Sequence, residues 1–152
     1  TGFRAIATDS GCANACTGQQ GLDNARKMAE LAGATIGATA SETLFMSTGV
    51  IGVQLPMDRI EIGAAKAGEA LGADYDHFVA AATAIQTTDT KLKIVSREAT
   101  LPNGATIRLA AMCKGAAMIG PNMATMLATI LTDAALDPTD AQVAQSKIPS
   151  TA

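Results

Sequence analysis

The arrangement that most restricts the fold stands at the start of the chain: a β-prone run, a turn-rich loop and an amphipathic helix, in that order. Phe3-Arg4-Ala5-Ile6-Ala7-Thr8 is rich in strand formers and stops at Asp9-Ser10-Gly11, where turn formers begin. From Gln20 to Ala32 the apolar residues Leu22, Ala25, Met28, Ala29 and Ala32 recur at the three-and-four spacing of one helix face, and Gly33 supplies a stop. A strand that passes through a glycine-bearing loop into a helix is the elementary unit of an α/β fold.

The rest of the chain keeps to that grammar. Thr43-Leu44-Phe45-Met46 predicts a second strand, ended by the loop Ser47-Thr48-Gly49-Val50-Ile51-Gly52. Pro56 introduces a helix from Met57 to about Leu71, with Asp58 in its first turn and Gly72 beyond its end, and a shorter helix spans Asp76 to Ile85. After the loop Thr87-Thr88-Asp89-Thr90, two alternating segments, Lys91 to Ala99 and Ala105 to Cys113, flank Pro102-Asn103-Gly104 and predict an antiparallel hairpin. Lys114 to Ala124 reads as a Gly- and Met-rich loop, Thr125 to Leu131 as a buried apolar strand, and Asp137-Pro138 as the opening of a last helix that ends near Lys147.

Composition removes several classes of function. The 152 residues are 48% hydrophobic with no Trp, one Tyr and three Phe, so the core must be built from small side chains. A formal charge of −3, with the 11 Lys and Arg scattered and without aromatic partners, speaks against nucleic acid or an anionic membrane as a ligand. No apolar run approaches the ~18 residues of a spanning helix, and the opening lacks the pattern of a signal peptide. Three cysteines, Cys12, Cys16 and Cys113, cannot all pair, which suits reduced thiols in the cytosol. Cys12-x-x-x-Cys16 is the only tempting metal spacing, and with His77 the single histidine the simpler reading is two small buried thiols. The first strand has no lead-in and the last helix ends in Ile148-Pro149-Ser150-Thr151-Ala152, so neighbouring polypeptide is expected at both ends.

One segment carries a chemical possibility. In Lys114-Gly115-Ala116-Ala117-Met118-Ile119-Gly120-Pro121-Asn122-Met123-Ala124-Thr125-Met126-Leu127, a hydroxyl residue stands between a glycine-bearing loop and an apolar run, directly after an alanine. A Thr hydroxyl can attack the carbonyl of the residue before it, converting the amide to an ester that water opens. The freed α-amine, with a pKa of roughly 7.7–8.0, then serves as a general base for the same hydroxyl. Thr48 and Gly49 could supply a hydroxyl and a backbone N–H to a tetrahedral oxyanion, and Lys114, the only charge in its loop, a carboxylate anchor. On residue chemistry alone the plainer alternatives stay open: Thr125 as a strand residue, Gly49 and Gly52 as turn formers, Lys114 as a solvated side chain, and Asn14, Thr17 and Gly18 as turn chemistry.

Five motifs in register resemble the ornithine acetyltransferases, or glutamate N-acetyltransferases: Lys114 to Leu127, Ser47-Thr48-Gly49-Val50-Ile51-Gly52, Leu55-Pro56-Met57-Asp58, Thr87-Thr88-Asp89-Thr90 and Ala13-Asn14-Ala15-Cys16-Thr17-Gly18. The likeness runs from about Phe3 to Pro138 and corresponds to the middle of a family member. It implies a mixed-sheet, layered αββα sandwich in which 1–152 is one incomplete catalytic domain. Self-cleavage at Ala124-Thr125 would divide it into 1–124 and 125–152. It further implies Thr125 as acetyl carrier, Thr48 and Gly49 as the oxyanion hole, and Thr88, Lys114 and Thr125 as substrate contacts. Acetyl would pass from N-acetylornithine to glutamate in arginine biosynthesis, in a cytoplasmic assembly of two alpha and two beta chains that includes the complementary subunit segment. No metal or cofactor is implied, although acetyl-coenzyme A is an acetyl donor for some members. The sequence departs from the pattern at Asp9 and Cys12, where Asn is expected, and at Ala116-Ala117. Two rivals remain: a related self-processing aminopeptidase, and a fragment that binds amino acids without catalysis.

Overall fold

The computed structural model describes residues 2–116 and 126–146. The chain divides into two compact units, Thr1–Thr87 and Thr88–Ala152. In the first, β1 (Ala5–Cys12) leads through the Ala13–Thr17 loop into α1 (Gly18–Ala34), and a 3-10 turn, Ala40–Glu42, precedes β2 (Thr43–Val50). The helices α2 (Met57–Glu69) and α3 (Tyr75–Ala84) follow. The strands β1 and β2 run parallel, with Ile6 opposite Leu44, Ser10 opposite Thr48 and Gly11 opposite Gly49. α1 packs against both strands and α2 packs against α1, the crossover geometry that parallel pairing requires.

Sequence pattern and structure differ in instructive places. β2 runs on through Ser47, Thr48 and Gly49 to Val50, so the expected loop is strand, because each of those residues finds a parallel partner in β1. α1 begins earlier, at Gly18, and buries Gly21, Asn24, Met28, Ala29 and Gly33 while Leu22 is exposed. The apolar spacing found the right helix but misjudged its inner face near the start. A Cβ at Gly21 would stand 1.9 Å from the Thr17 hydroxyl, so the helix enters against its own preceding loop on that side. Nor is β1 fully buried, since Ile6 is exposed, as is Phe3 ahead of the strand.

The second unit holds β3 (Lys93–Thr100), β4 (Thr106–Lys114) and β5 (Leu127–Thr132), antiparallel in that order, followed by α4 (Pro138–Ser146). The β3–β4 hairpin is the expected one, and its turn is secured where the Ala105 N–H donates to Asn103 Oδ1 at 3.0 Å. β5 starts at Leu127, forms an edge of its sheet among the described residues, and is not the buried strand expected: Ile130 and Leu131, which point to opposite faces of the sheet, are both exposed. Residues 124 and 125 lie outside the described residues. No helix among the described residues is long and apolar enough to cross a membrane.

Candidate active site

The carboxyl ends of β1 and β2 carry the first group of candidates. Ligand sites of parallel sheets form at such ends, where loops leave the strands together. Thr48 is buried at 5% exposure. Next to it, Gly49 has φ +137° and faces Gly11, which has φ +130°. A Cβ on Gly49 would lie 2.2 Å from the Gly11 carbonyl carbon and 2.3 Å from its oxygen. Only glycine lets the two backbones approach so closely. Gly49 is thus required by packing, and the Thr48–Gly49 backbone is held in one place.

A polar lattice joins the two loops that leave these strands. The Asn14 N–H donates to Ser47 Oγ at 2.9 Å, and Asn14 Nδ2 to the Gly21 carbonyl at 2.8 Å. The Thr17 hydroxyl donates to Asn14 Oδ1 at 2.7 Å, and Gln54 Nε2 to the Thr17 carbonyl at 2.9 Å. Asn24, buried on α1, donates to Gln54 Oε1 at 3.2 Å and accepts from Gln20 Nε2 at 2.9 Å. Main-chain bonds from Ala13 N–H to the Val50 carbonyl and from Gly52 N–H to the Ala15 carbonyl complete it. Asn14 and Thr17 thus do more than shape their own turn. Asn24 and Gln54 were not singled out from sequence; the available signal was an amide at position 24 within an otherwise apolar helix stripe.

The cysteines have no catalytic setting. Burial raises the Cys12 thiol above its ordinary value, and the Asp9 carboxylate raises it further, opposite to what an activated thiolate needs. Cys12 Sγ makes only long contacts, 3.5 Å to the Val53 carbonyl and 3.7 Å to that of Gln54. Cys16 is exposed rather than buried and has φ +58°, because it turns the chain into the start of α1. All three cysteines are free, and no group of three metal-binding side chains exists among the described residues.

In the second unit, Lys114 closes β4 with its side chain buried at 3% exposure. The adjacent Gly115 N–H donates to Asp89 Oδ1 at 2.8 Å, and Lys93 Nζ contacts the same oxygen. The Asp89 side chain is fully enclosed. Two motifs 26 positions apart therefore meet: the Thr87–Thr90 loop is anchored to the end of β4 through Asp89, while Thr88 is exposed. Leu127 pairs with Lys114 across the sheet, so the two ends of the segment Lys114 to Leu127 are cross-strand neighbours. Asp89 is the residue that sequence reasoning passed over as part of a loop. Thr48 and Gly49 belong to the first unit, Thr88 and Lys114 to the second. Thr125 and Ala124, the expected nucleophile and cleavage position, lie outside the described residues.

A family model described as the ArgJ family matches residues 1–151. The chain belongs to the ArgJ family. Among relatives, the arginine biosynthesis bifunctional protein ArgJ of Rhodopirellula baltica is 46% identical over 145 residues, which cover 95% of this chain and 35% of that protein. The protein of the same name from Thermotoga neapolitana is 50% identical over 134 residues, 88% of this chain and 33% of that one. The solved structure of arginine biosynthesis bifunctional protein ArgJ from Bacillus halodurans aligns with TM-score 0.70 and 39% identity, covering 78% of this chain and 61% of that chain. Ornithine acetyltransferase from Mycobacterium tuberculosis, solved with ornithine, aligns with TM-score 0.68 and 34% identity, covering 77% and 61%. The fold is the layered α/β sandwich of this family. The chain spans about a third of the length of the curated relatives it matches.

Proposed function

We propose that this chain is the self-cleaving portion of a glutamate N-acetyltransferase of arginine biosynthesis, with Thr125 as nucleophile. Thr125 Oγ attacks the Ala124 carbonyl carbon, the C–N bond breaks as the nitrogen takes a proton, and water opens the resulting ester. Ala124 is left with a carboxylate and Thr125 with a free α-amine. That amine then takes the hydroxyl proton as Oγ attacks the acetyl carbonyl of N-acetylornithine. Ornithine leaves, and the α-amine of glutamate takes the acetyl group from the ester. Thr48 and Gly49 stabilise the oxyanion, and Thr88 and Lys114 hold the substrate. Acetyl-coenzyme A is a second acetyl donor in this reading, in keeping with the bifunctional name of the relatives.

The observation that carries the reading is the meeting of two motifs at one end of β4, Thr87–Thr90 and the segment Lys114 to Leu127. Asp89 accepts from Gly115 beside buried Lys114, and Leu127 pairs with Lys114 across the sheet. The same proposal places the protein in the cytosol, joined to the complementary subunit segment in an assembly of two alpha and two beta chains. Thr125→Ala and Thr125→Ser in the family-length polypeptide provide the test, scored by mass spectrometry for scission and by acetyl transfer between ornithine and glutamate. The alanine variant is expected to lose both and the serine variant to keep a measurable share of both. Scission or transfer by Thr125→Ala would remove Thr125 from its role.

A further inference from the structure

Asp89 joins separate parts of the second unit at a single oxygen. Its side chain is fully enclosed, and Oδ1 accepts from the Gly115 N–H at 2.8 Å, just beyond the end of β4, and from Nζ of Lys93, the first residue of β3. Asp89 itself follows Thr88 in the chain. One carboxylate therefore stands covalently beside one proposed substrate contact and is hydrogen-bonded to the residue that follows another, Lys114.

Filling space does not explain an acid at this position. An apolar side chain of similar size would close the Thr87–Thr90 loop over the end of β4 without taking a carboxylate out of water, and exchanges of that kind are often neutral or stabilising. What a carboxylate adds is direction, since a charge-assisted bond holds its donor at one distance and angle. The donor is the Gly115 N–H, which shares a rigid peptide plane with the Lys114 carbonyl. On its other side Lys114 is held in the sheet, paired with Leu127 of β5. With its register set by the sheet and the plane after it set by Asp89, both backbone torsions of Lys114 are fixed, and its buried side chain leaves β4 in one direction.

We propose that Asp89 is a positioning residue for substrate: it sets the Lys114 ammonium, and the loop that carries Thr88, where the α-carboxylate of N-acetylornithine is held. This rests on the reading of Lys114 as a substrate contact, and Asp89 acts through Lys114 without touching the substrate itself. A group displaced by about 1 Å can cost about a hundredfold in rate even away from the chemistry. The loss of one enclosed acceptor is therefore readable in turnover.

The test uses the family-length enzyme and two acetyl donors, N-acetylornithine and N-acetylputrescine, the same molecule without its α-carboxylate. Rates are taken per cleaved enzyme, counted by mass spectrometry. Lys114→Met is expected to lower kcat/KM for N-acetylornithine and to leave that for N-acetylputrescine near wild type. Asp89→Ala is expected to show the same selectivity, with a loss of about ten- to a hundredfold on N-acetylornithine. Asp89→Asn, which keeps an oxygen for the Gly115 N–H, restores most of it, and adding Asp89→Ala to Lys114→Met costs nothing further on either donor. Inhibition by ornithine and by putrescine, which differ by the same carboxylate, gives the same comparison without a reacting donor. If circular dichroism shows Asp89→Ala unfolded, Asp89→Ser, whose hydroxyl stops one bond short of Oδ1, carries the same expectation. A merely structural role predicts equal losses on both donors. That result, no loss at all, Asp89→Asn as poor as Asp89→Ala, additive losses in the double variant, or a folded Asp89→Ala chain that is not cleaved would overturn the proposal and leave Lys114 in its role. If Lys114→Met itself fails to discriminate between the donors, Lys114 is no carboxylate anchor, and that reading of the site falls together with the proposal.

Discussion

Replacing Gly49 by alanine separates the packing demand at the β1–β2 approach from backbone preference alone. At φ +137° an L-residue is strained, a cost of about 1–3 kcal/mol. The added Cβ also meets three main-chain atoms, at 2.2 and 2.3 Å on Gly11 and 2.7 Å on Cys12. None of them can rotate aside as a side chain could, so the strands must part, which adds about 1–3 kcal/mol of overpacking. The expected loss is about 2–6 kcal/mol, a large share of the 5–15 kcal/mol that holds a typical domain. Gly11→Ala is the matched control: φ is +130° but its Cβ would meet nothing within 4 Å, so only the strain of about 1–3 kcal/mol applies. Urea unfolding followed by circular dichroism measures both. Equal losses, or a larger loss for Gly11→Ala, would refute the claim that Gly49 is required by the Gly11 backbone.

Gly33→Ala and Gly21→Ala are both expected to destabilise in the same assay. Each gains about 1 kcal/mol of helix propensity, but the Gly33 Cβ would meet the Ala38 carbonyl oxygen at 2.7 Å and the Gly21 Cβ would meet Thr17 Cβ, which is fixed to the backbone, at 2.6 Å, and overpacking of about 1–3 kcal/mol outweighs the gain. Asp89→Ala leaves the Gly115 N–H without its acceptor in an enclosed site and should cost about 1–3 kcal/mol of unfolding free energy; the partly exposed Lys93 regains water and adds little. For Asp9 the sign follows from its raised carboxyl, set by burial and only partly offset by the Cys12 N–H. The folded state holds this proton more tightly than the unfolded state, so its contribution to stability falls as pH rises from below 3.8 through the folded value. Asp9→Asn should remove that decline and raise the melting temperature at pH 7 relative to pH 4; an unchanged pH dependence would contradict it.

Local pattern was enough to read the α/β class, the β3–β4 hairpin and the four helices, because strand composition, turn chemistry and helix periodicity are properties of short segments. What escaped it was decided by partners remote in sequence. Ser47 to Val50 looks like a loop because of Gly49 and becomes strand because Asp9 to Cys12 lies alongside. Leu22 fits the apolar stripe of α1, yet Asn24 goes inside because Gln54 and Gln20 satisfy its amide. Of the site, Thr48, Gly49, Thr88 and Lys114 were singled out within their motifs, whereas Asp89, a member of the Thr87–Thr90 motif, was not, since its importance comes from Gly115, which reaches it from the end of β4.

The exposed apolar side chains of the two sheets carry a last consequence. Ile6 and Leu44 are cross-strand neighbours on one face of the parallel pair, and Leu44 is 40% exposed. In the antiparallel sheet, Val95 and Ile130 flank Ala111 in one row and are 43% and 53% exposed. Parallel sheets are normally covered on both faces, and full burial of a Leu contributes about 1.5–3 kcal/mol. With two fifths of Leu44 still in water, about 0.6–1.2 kcal/mol of that remains to be gained from covering polypeptide. Leu44→Ala should therefore destabilise the family-length protein by about that much more than it destabilises this chain, as read from paired urea titrations. An exposed position on α2 such as Ile62, on a helix that packs against α1, should show no such difference on substitution by alanine. If Leu44→Ala costs the same in both settings, the exposed row on β1 and β2 is a true outer surface of the molecule.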